Sequence, residues 1–123
     1  MNILGIGNDI VDIRRIEKLY AAHGDQFLNR FFNEDEKAQL NEFQIQYKEE
    51  RKFMQKIANT WAAKESVIKA YKGELGMTDV SILRDANGAP YVVLKTACDD
   101  IVHISISDEY PYSIAYCIRS GKN

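Results

Sequence analysis

Three groups of residues in this sequence have types and spacings suited to chemistry. The first centres on Asp9, in Gly5-Ile6-Gly7-Asn8-Asp9 within an otherwise apolar segment. A lone acid there is costly to bury unless it is paired or coordinates a metal. The flanking glycines let a backbone or a ligand come close. An exposed or salt-bridged Asp9 accounts for the pattern equally well.

The second group is Trp61-Ala62-Ala63-Lys64-Glu65-Ser66-Val67-Ile68-Lys69-Ala70. On a helix, Glu65 and Lys69 lie one turn apart on one face. They sit at the edge of the apolar stripe beside small Ala58 and Ala62, where a helix can meet a cleft with room for a ligand. The commoner meaning of such spacing is a surface ion pair worth roughly a few tenths of a kcal/mol. Lys64 falls inside the apolar stripe, so it either snorkels its ammonium outward or points at a buried anion such as phosphate. The third group is His103-Ile104-Ser105-Ile106-Ser107. An alternating strand presents His103, Ser105 and Ser107 on one face, able to donate to a phosphate or simply to face water. There is no Ser-His-Asp order, no Walker-type loop and no His/Cys cluster for zinc. Gly5 and Gly7 lack the third glycine of a dinucleotide fingerprint.

These groups need elements to position them. A mostly apolar strand is predicted over 3–13, with Asp12 capping a helix over 13–22 that stops at His23-Gly24. Phe27, Leu28, Phe31 and Phe32 form a short apolar segment. Asn33, with Glu36 three residues on, reads as an N-cap and capping-box partner for a helix over 34–43. The longest helical pattern spans 49–71, with Phe53, Ile57, Trp61, Ile68 and Tyr71 on one stripe and Gly73 and Gly76 beyond its end. Val80 and Ile82 alternate with polar neighbours until Leu83 breaks the pattern. Asn87-Gly88 turns the chain into Tyr91-Val92-Val93-Leu94. Strands at 101–106 and 112–118 flank an Asp108-Glu109-Tyr110-Pro111 turn. This order predicts an α+β fold, with helices, including one long central helix, packed on a largely antiparallel sheet.

Composition narrows the class. A chain of 123 residues is the usual size of a single domain, here 1–123, with a core small enough that oligomerisation would help it. Sixteen Lys and Arg against 18 Asp and Glu give a net formal charge of −2. There is thus no global attraction to nucleic acid or anionic membrane, and any basic surface is local. No apolar run approaches the roughly 20 residues of a spanning helix, and the Met1-Asn2-Ile3 start shows no signal peptide. Cys98 and Cys117 are too far apart in sequence for a metal-spaced pair. A reducing cytoplasm with both thiols free and packed is expected.

The separate groups together resemble the bacterial holo-acyl-carrier-protein synthases of the 4′-phosphopantetheinyl transferase family. Gly5 to Val11 followed by Arg15 is similar to the N-terminal motif. Trp61-Ala62-Ala63-Lys64-Glu65 with Lys69-Ala70 is similar to the central helix motif. Asn87-Gly88-Ala89-Pro90-Tyr91 resembles the turn before a strand, and His103 to Asp108 the C-terminal motif. The resemblance covers essentially the whole chain, in family order and spacing.

It implies transfer of 4′-phosphopantetheine from coenzyme A to a serine of an acyl carrier protein. The matching acids, Asp9 and Glu65, would bind Mg²⁺ with the pyrophosphate of coenzyme A. Such a hard cation is usually held by one or two carboxylates plus phosphates and waters. Glu65, or a metal-bound water, would take the serine proton, and Lys69 would stabilise the leaving adenosine 3′,5′-bisphosphate. Lys64, His103 and Ser105 would contact phosphates, and Gly88 and Pro90 would lie near the adenine. The family fold is a homotrimer with sites at the subunit interfaces. Arg14, Arg15 and Lys18 on the first helix would dock the acidic carrier.

The chain departs from the family's pattern at three places. Thr60 stands where an arginine often precedes the aromatic residue, and Lys56, one turn earlier, could substitute. Lys72-Gly73-Glu74-Leu75-Gly76 replaces the usual glycine-rich loop. Asp108 stands where other members have histidine. The rival readings are a coenzyme A- or carrier-binding module without transferase activity, and a metal-dependent phosphohydrolase.

Overall fold

The computed structural model describes residues 2–96 and 98–122. The chain runs β1 (Asn2–Asp12), α1 (Ile13–His23), α2 (Asp25–Phe31), α3 (Glu34–Tyr47), α4 (Glu50–Ala70), β2 (Val80–Arg84), β3 (Pro90–Leu94), β4 (Ile101–Glu109) and β5 (Tyr112–Gly121). It is an α+β fold. The strands are all antiparallel but form two sheets: a three-stranded sheet in the order β1-β5-β4, and a separate β2-β3 hairpin.

The expected elements are present, and the differences have physical causes. The apolar Phe27–Phe31 stretch is helix α2. β2 continues through Leu83 and Arg84 because both of its faces are covered: Ile82 and Leu83 are both buried. Gln39 of α3 also clamps Arg84, accepting its N–H at 2.9 Å and donating to its C=O at 3.1 Å. α3 runs four residues beyond the predicted end, to Tyr47. β4 extends into the expected turn, through Asp108 and Glu109, leaving Tyr110-Pro111 before β5, which starts at Tyr112 as expected and runs on to Gly121. Cys117 is buried as expected, whereas Cys98 is exposed; both are free thiols.

The main correction concerns α4. One apolar stripe was predicted, yet from Ile57 to Lys64 every residue is buried, followed by Ser66, Val67 and Ala70. The helix passes through the middle of the molecule, against β1, β4 and β5 as well as α1, α3 and β2. What permits this is the glycine pair of β1. A Cβ on Gly5 would stand 2.0 Å from the Ala70 carbonyl oxygen, and one on Gly7 1.9 Å from that of Ser66. The glycines admit the helix backbone, not a ligand. Ala58 and Ala62, in the same i−4 row as Ser66 and Ala70, are fully buried and leave no ligand space.

The three-stranded sheet has two unlike faces. Gly7, Ser113, Ala115 and Cys117 are buried on the inner face, and Val102, Ile104 and Ile106 also pack against the core. The outer face leaves Ile6, Ile10, Tyr116 and Ile118 exposed.

Candidate active site

Asp9 lies two residues past Gly7 on the same face of β1, and so is delivered to the α4 surface beyond the close strand–helix contact. Its Oδ1 accepts from Lys69 Nζ at 3.1 Å. Among the described residues Lys69 pairs with this strand acid, and the expected Glu65–Lys69 ion pair along the helix is not formed. Glu65, one turn before Lys69, is half-buried. Burial raises its pKa above the usual carboxylate range, and the charge of Asp9 raises it further. Lys69 and Arg15 pull it back down. Four charged groups from β1, α1 and α4 therefore converge on one half-open spot.

The donor chemistry here is two carboxylates and no more, since no group of three or more His, Cys, Asp or Glu exists among the described residues. That set suits a hard cation which completes its shell with phosphate oxygens and water. The charge of Asp9 beside the half-buried Glu65 is a repulsion that a divalent cation between them would relieve.

Lys64 requires correction. Neither snorkelling nor a phosphate is involved: the side chain has 0% exposure and pairs with Glu36, also at 0%. Lys64 Nζ donates to Glu36 Oε1 at 2.5 Å and to the Val80 carbonyl at 2.8 Å. Glu36 in turn accepts the Asn33 N–H at 2.8 Å and the Ile82 N–H at 2.9 Å. The Asn33 amide reaches across to Ser81 Oγ at 2.8 Å. The capping residues expected for α3 thus also bolt α4 to the β2-β3 hairpin.

His103 and Ser105 lie on the outer, exposed face of β4, with Ile104 and Ile106 inward as predicted. That is the face of the sheet away from Asp9 and α4, so one chain does not bring them to the carboxylate pair. Gly88 (φ +83°) forms the hairpin turn and Pro90 opens β3; this hairpin packs on α3, α4 and β4. Thr60 is buried, its hydroxyl returned to the Lys56 carbonyl at 2.9 Å, and faces no ligand.

The basic cluster on α1 divides. Arg14 is held by Asp12 through two bonds, at 2.9 and 2.7 Å. With Lys18 it faces Glu17 and Glu50. Arg15, about 100° further round the helix, lines a different groove between α1 and α2, with Leu19, Gln26, Arg30, Phe31 and Trp61. Trp61 forms its floor, stacked on Phe27 at 5.6 Å and meeting Phe31 edge-on at 5.0 Å. Sequence reasoning missed Arg30 and the groove. The only available signal was the apolar run Phe27–Phe32, which amphipathic spacing would have folded against Trp61.

Residues 5–117 match the 4′-phosphopantetheinyl transferase superfamily. The holo-[acyl-carrier-protein] synthase of Acholeplasma laidlawii is 38% identical over 123 residues, covering 98% of each chain. A crystal structure of the Bacillus anthracis holo-(acyl-carrier-protein) synthase, in complex with CoA (3′,5′-ADP), superposes with a TM-score of 0.83 at 28% identity, covering 98% of each chain. The Plasmodium yoelii holo-ACP synthase follows at 0.79 and 30%, covering 99% of this chain and 98% of its own. With its two acids and a lysine gathered where β1 crosses α4, the chain belongs to the 4′-phosphopantetheinyl transferase superfamily.

Proposed function

We propose that this chain is a holo-acyl-carrier-protein synthase, a Mg²⁺-dependent enzyme of fatty acid biosynthesis. It transfers 4′-phosphopantetheine from coenzyme A to a serine of apo-acyl carrier protein and releases adenosine 3′,5′-bisphosphate. The observation that carries this reading is the convergence of Asp9, Glu65 and Lys69 at the matching family motifs. Transfer requires attack on one phosphorus of a diphosphate and departure of the other, so catalysis is positioning and charge neutralisation. Bound Mg²⁺, held by Asp9 and Glu65, would supply charge neutralisation on the diphosphate. Lys69, exposed beside Asp9, would stabilise the leaving phosphate. Glu65, whose burial and acid neighbour make it a stronger base than an ordinary carboxylate, is the candidate to take the serine proton.

The α1–α2 groove supports carrier docking. Its Arg15 and Arg30 stand over an aromatic floor, which suits an acidic helix with apolar contacts. The exposed apolar outer face of the sheet, carrying His103 and Ser105 among Ile6, Ile10, Tyr116 and Ile118, supports a homotrimer. There one chain's outer face completes another chain's carboxylate site. No helix among the described residues is long and apolar enough to cross a membrane. A cytoplasmic location and a single folding unit remain part of this reading.

The deciding experiment incubates the protein with coenzyme A, Mg²⁺ and apo-carrier protein and weighs the carrier. Gain of the phosphopantetheine mass supports the transferase. A carrier unchanged in mass, with coenzyme A intact or hydrolysed, replaces it with the binding module or the phosphohydrolase respectively.

A further inference from the structure

The C-terminal end of α4 is closed by a lysine in the place that suits glycine. The N–H of Gly73 donates to the Ile68 carbonyl at 3.0 Å, and that of Lys72 to the Lys69 carbonyl at 3.0 Å. In this closure the first residue past the C-cap, here Tyr71, takes the left-handed conformation, and glycine is its usual occupant. That residue is Lys72, at φ +58°, and the glycine comes one position later, at φ +77°. A side chain in left-handed backbone carries a steric cost that glycine avoids. Among the described residues the one other non-glycine held this way is Lys48, at φ +53°, in the exposed turn at the opposite end of α4.

The position of Lys72 gives that cost a use. It follows Glu65 by seven residues and Lys69 by three, so the turning chain returns it to the edge of α4 that carries both. It is exposed, and it enters no ion pair among the described residues. Asp9, the acid at this edge, is already engaged by Lys69.

We infer that Lys72 is a second cation for the leaving group, kept where glycine would make the more stable helix end. The inference rests on the function proposed above. In that reaction the serine oxygen bonds to one phosphorus of the diphosphate, and the serine proton passes to Glu65. The bridging oxygen departs with the electron pair of the broken P–O bond, so negative charge grows on the phosphate of adenosine 3′,5′-bisphosphate. Lys69 faces that charge while shared with Asp9. An ammonium one turn further along the same edge, on a long flexible stem, adds positive charge where the negative charge develops. The conformational cost and the catalytic gain then fall on one residue.

The test removes the strain and the charge together. Lys72→Gly should melt about 2–5 °C above wild type, while kcat/KM for coenzyme A falls roughly tenfold, mainly through kcat. Lys72→Asn, neutral and at ease in left-handed backbone, should lose the same activity, and Lys72→Arg should keep most of it. Lys48→Gly is the control, expected to gain stability with transfer unchanged. Calorimetry with adenosine 3′,5′-bisphosphate reads the contact without turnover: binding should weaken several-fold in Lys72→Gly and Lys72→Asn and hold in Lys48→Gly. Because Lys72→Gly is expected to be the more stable protein, its lost activity cannot be put down to unfolding. Wild-type transfer and bisphosphate binding in both neutral variants would overturn the inference and leave Lys72 as a tolerated helix end. An equal loss in Lys48→Gly would overturn it too. A wild type whose bisphosphate binding depends on Lys72, yet which modifies no carrier, refutes the proposed function and leaves the phosphate contact standing.

Discussion

Two lysines five residues apart on α4 each meet a carboxylate, and the two pairs behave differently. Lys64 and Glu36 are wholly buried, 2.5 Å apart, and three backbone groups, from the α3 N-cap Asn33 and from Val80 and Ile82 of β2, add further bonds to the pair. Lys69 and Asp9 stand 3.1 Å apart by a single contact, with side-chain exposures of 51% and 17%. The first pair has no low-energy alternative, because separating it strands a charge in the core. The second can exchange partners with water, a cation or a phosphate at little cost. One helix therefore carries a fixed ion pair that holds architecture and, one residue further on, begins a loose set of charges available to a substrate.

This contrast can be broken from either end. The largest effect is expected from Glu65→Gln, which should reduce phosphopantetheine transfer by roughly a thousandfold or more while the circular-dichroism spectrum and cooperative melt are kept. Transfer at near wild-type rate would remove Glu65 from the reaction. Next, Lys64→Met should destabilise the protein by about 3–5 kcal/mol in denaturant unfolding, because Glu36 is left as an unmatched buried charge. Adding Glu36→Gln should recover about half of that loss, since an amide still accepts one of the N–H groups without carrying charge. A single variant as stable as wild type would mean that the pair is not the bolt described.

Lys69→Ala should do the reverse, moving stability by less than about 1 kcal/mol and slowing transfer by about a hundredfold. Equal losses in both measurements would erase the distinction between the pairs. The smallest effect concerns pH. Glu65 has a folded-state pKa above its unfolded value, so its contribution to stability is fully present below the ordinary carboxylate pKa. That contribution is lost as pH rises through the raised value. At neutral pH, Glu65→Gln should therefore melt slightly higher than wild type, and the gap should close on acidification. A gap that is constant with pH would show that the carboxyl is not perturbed.

What could be read from the sequence follows the same division. That Asp9, Glu65 and Lys69 belong together was legible through the resemblance, since residue type and spacing alone left a lone strand acid and an ordinary helix-surface pair. The alternation of β4 also correctly set His103 and Ser105 apart from Ile104 and Ile106. Lys64 was misread because its partner lies 28 positions away, on a helix whose capping signal already explained Glu36 on local grounds. The single stripe predicted for α4 failed because periodicity registers a covered face only when the opposite face is polar. Here Ala58, Ala62, Ser66 and Ala70 are small and ambiguous, and the covering strand shows itself only through two missing side chains, at Gly5 and Gly7. Arg14, Arg15 and Lys18 were grouped by proximity in sequence, although Arg14 and Lys18 line one groove and Arg15 another, a division set by α2, which the sequence did not show as a helix.

The ladder register bears on the order in which the protein can be made. β1, which carries Asp9, has a single hydrogen-bonded neighbour, and that neighbour is β5: Asp9 is opposite Ala115, and Asn2 opposite Gly121. During synthesis β1 must therefore wait for almost the whole described chain before its edge is paired. Until then the Gly5–Gly7 stretch can rest on α4, but nothing fixes its register. A nascent chain stalled before Tyr112 should contain the helices and the β2-β3 hairpin yet offer no competent carboxylate pair. Activity would then arrive late and all at once, as β5 zips onto β1.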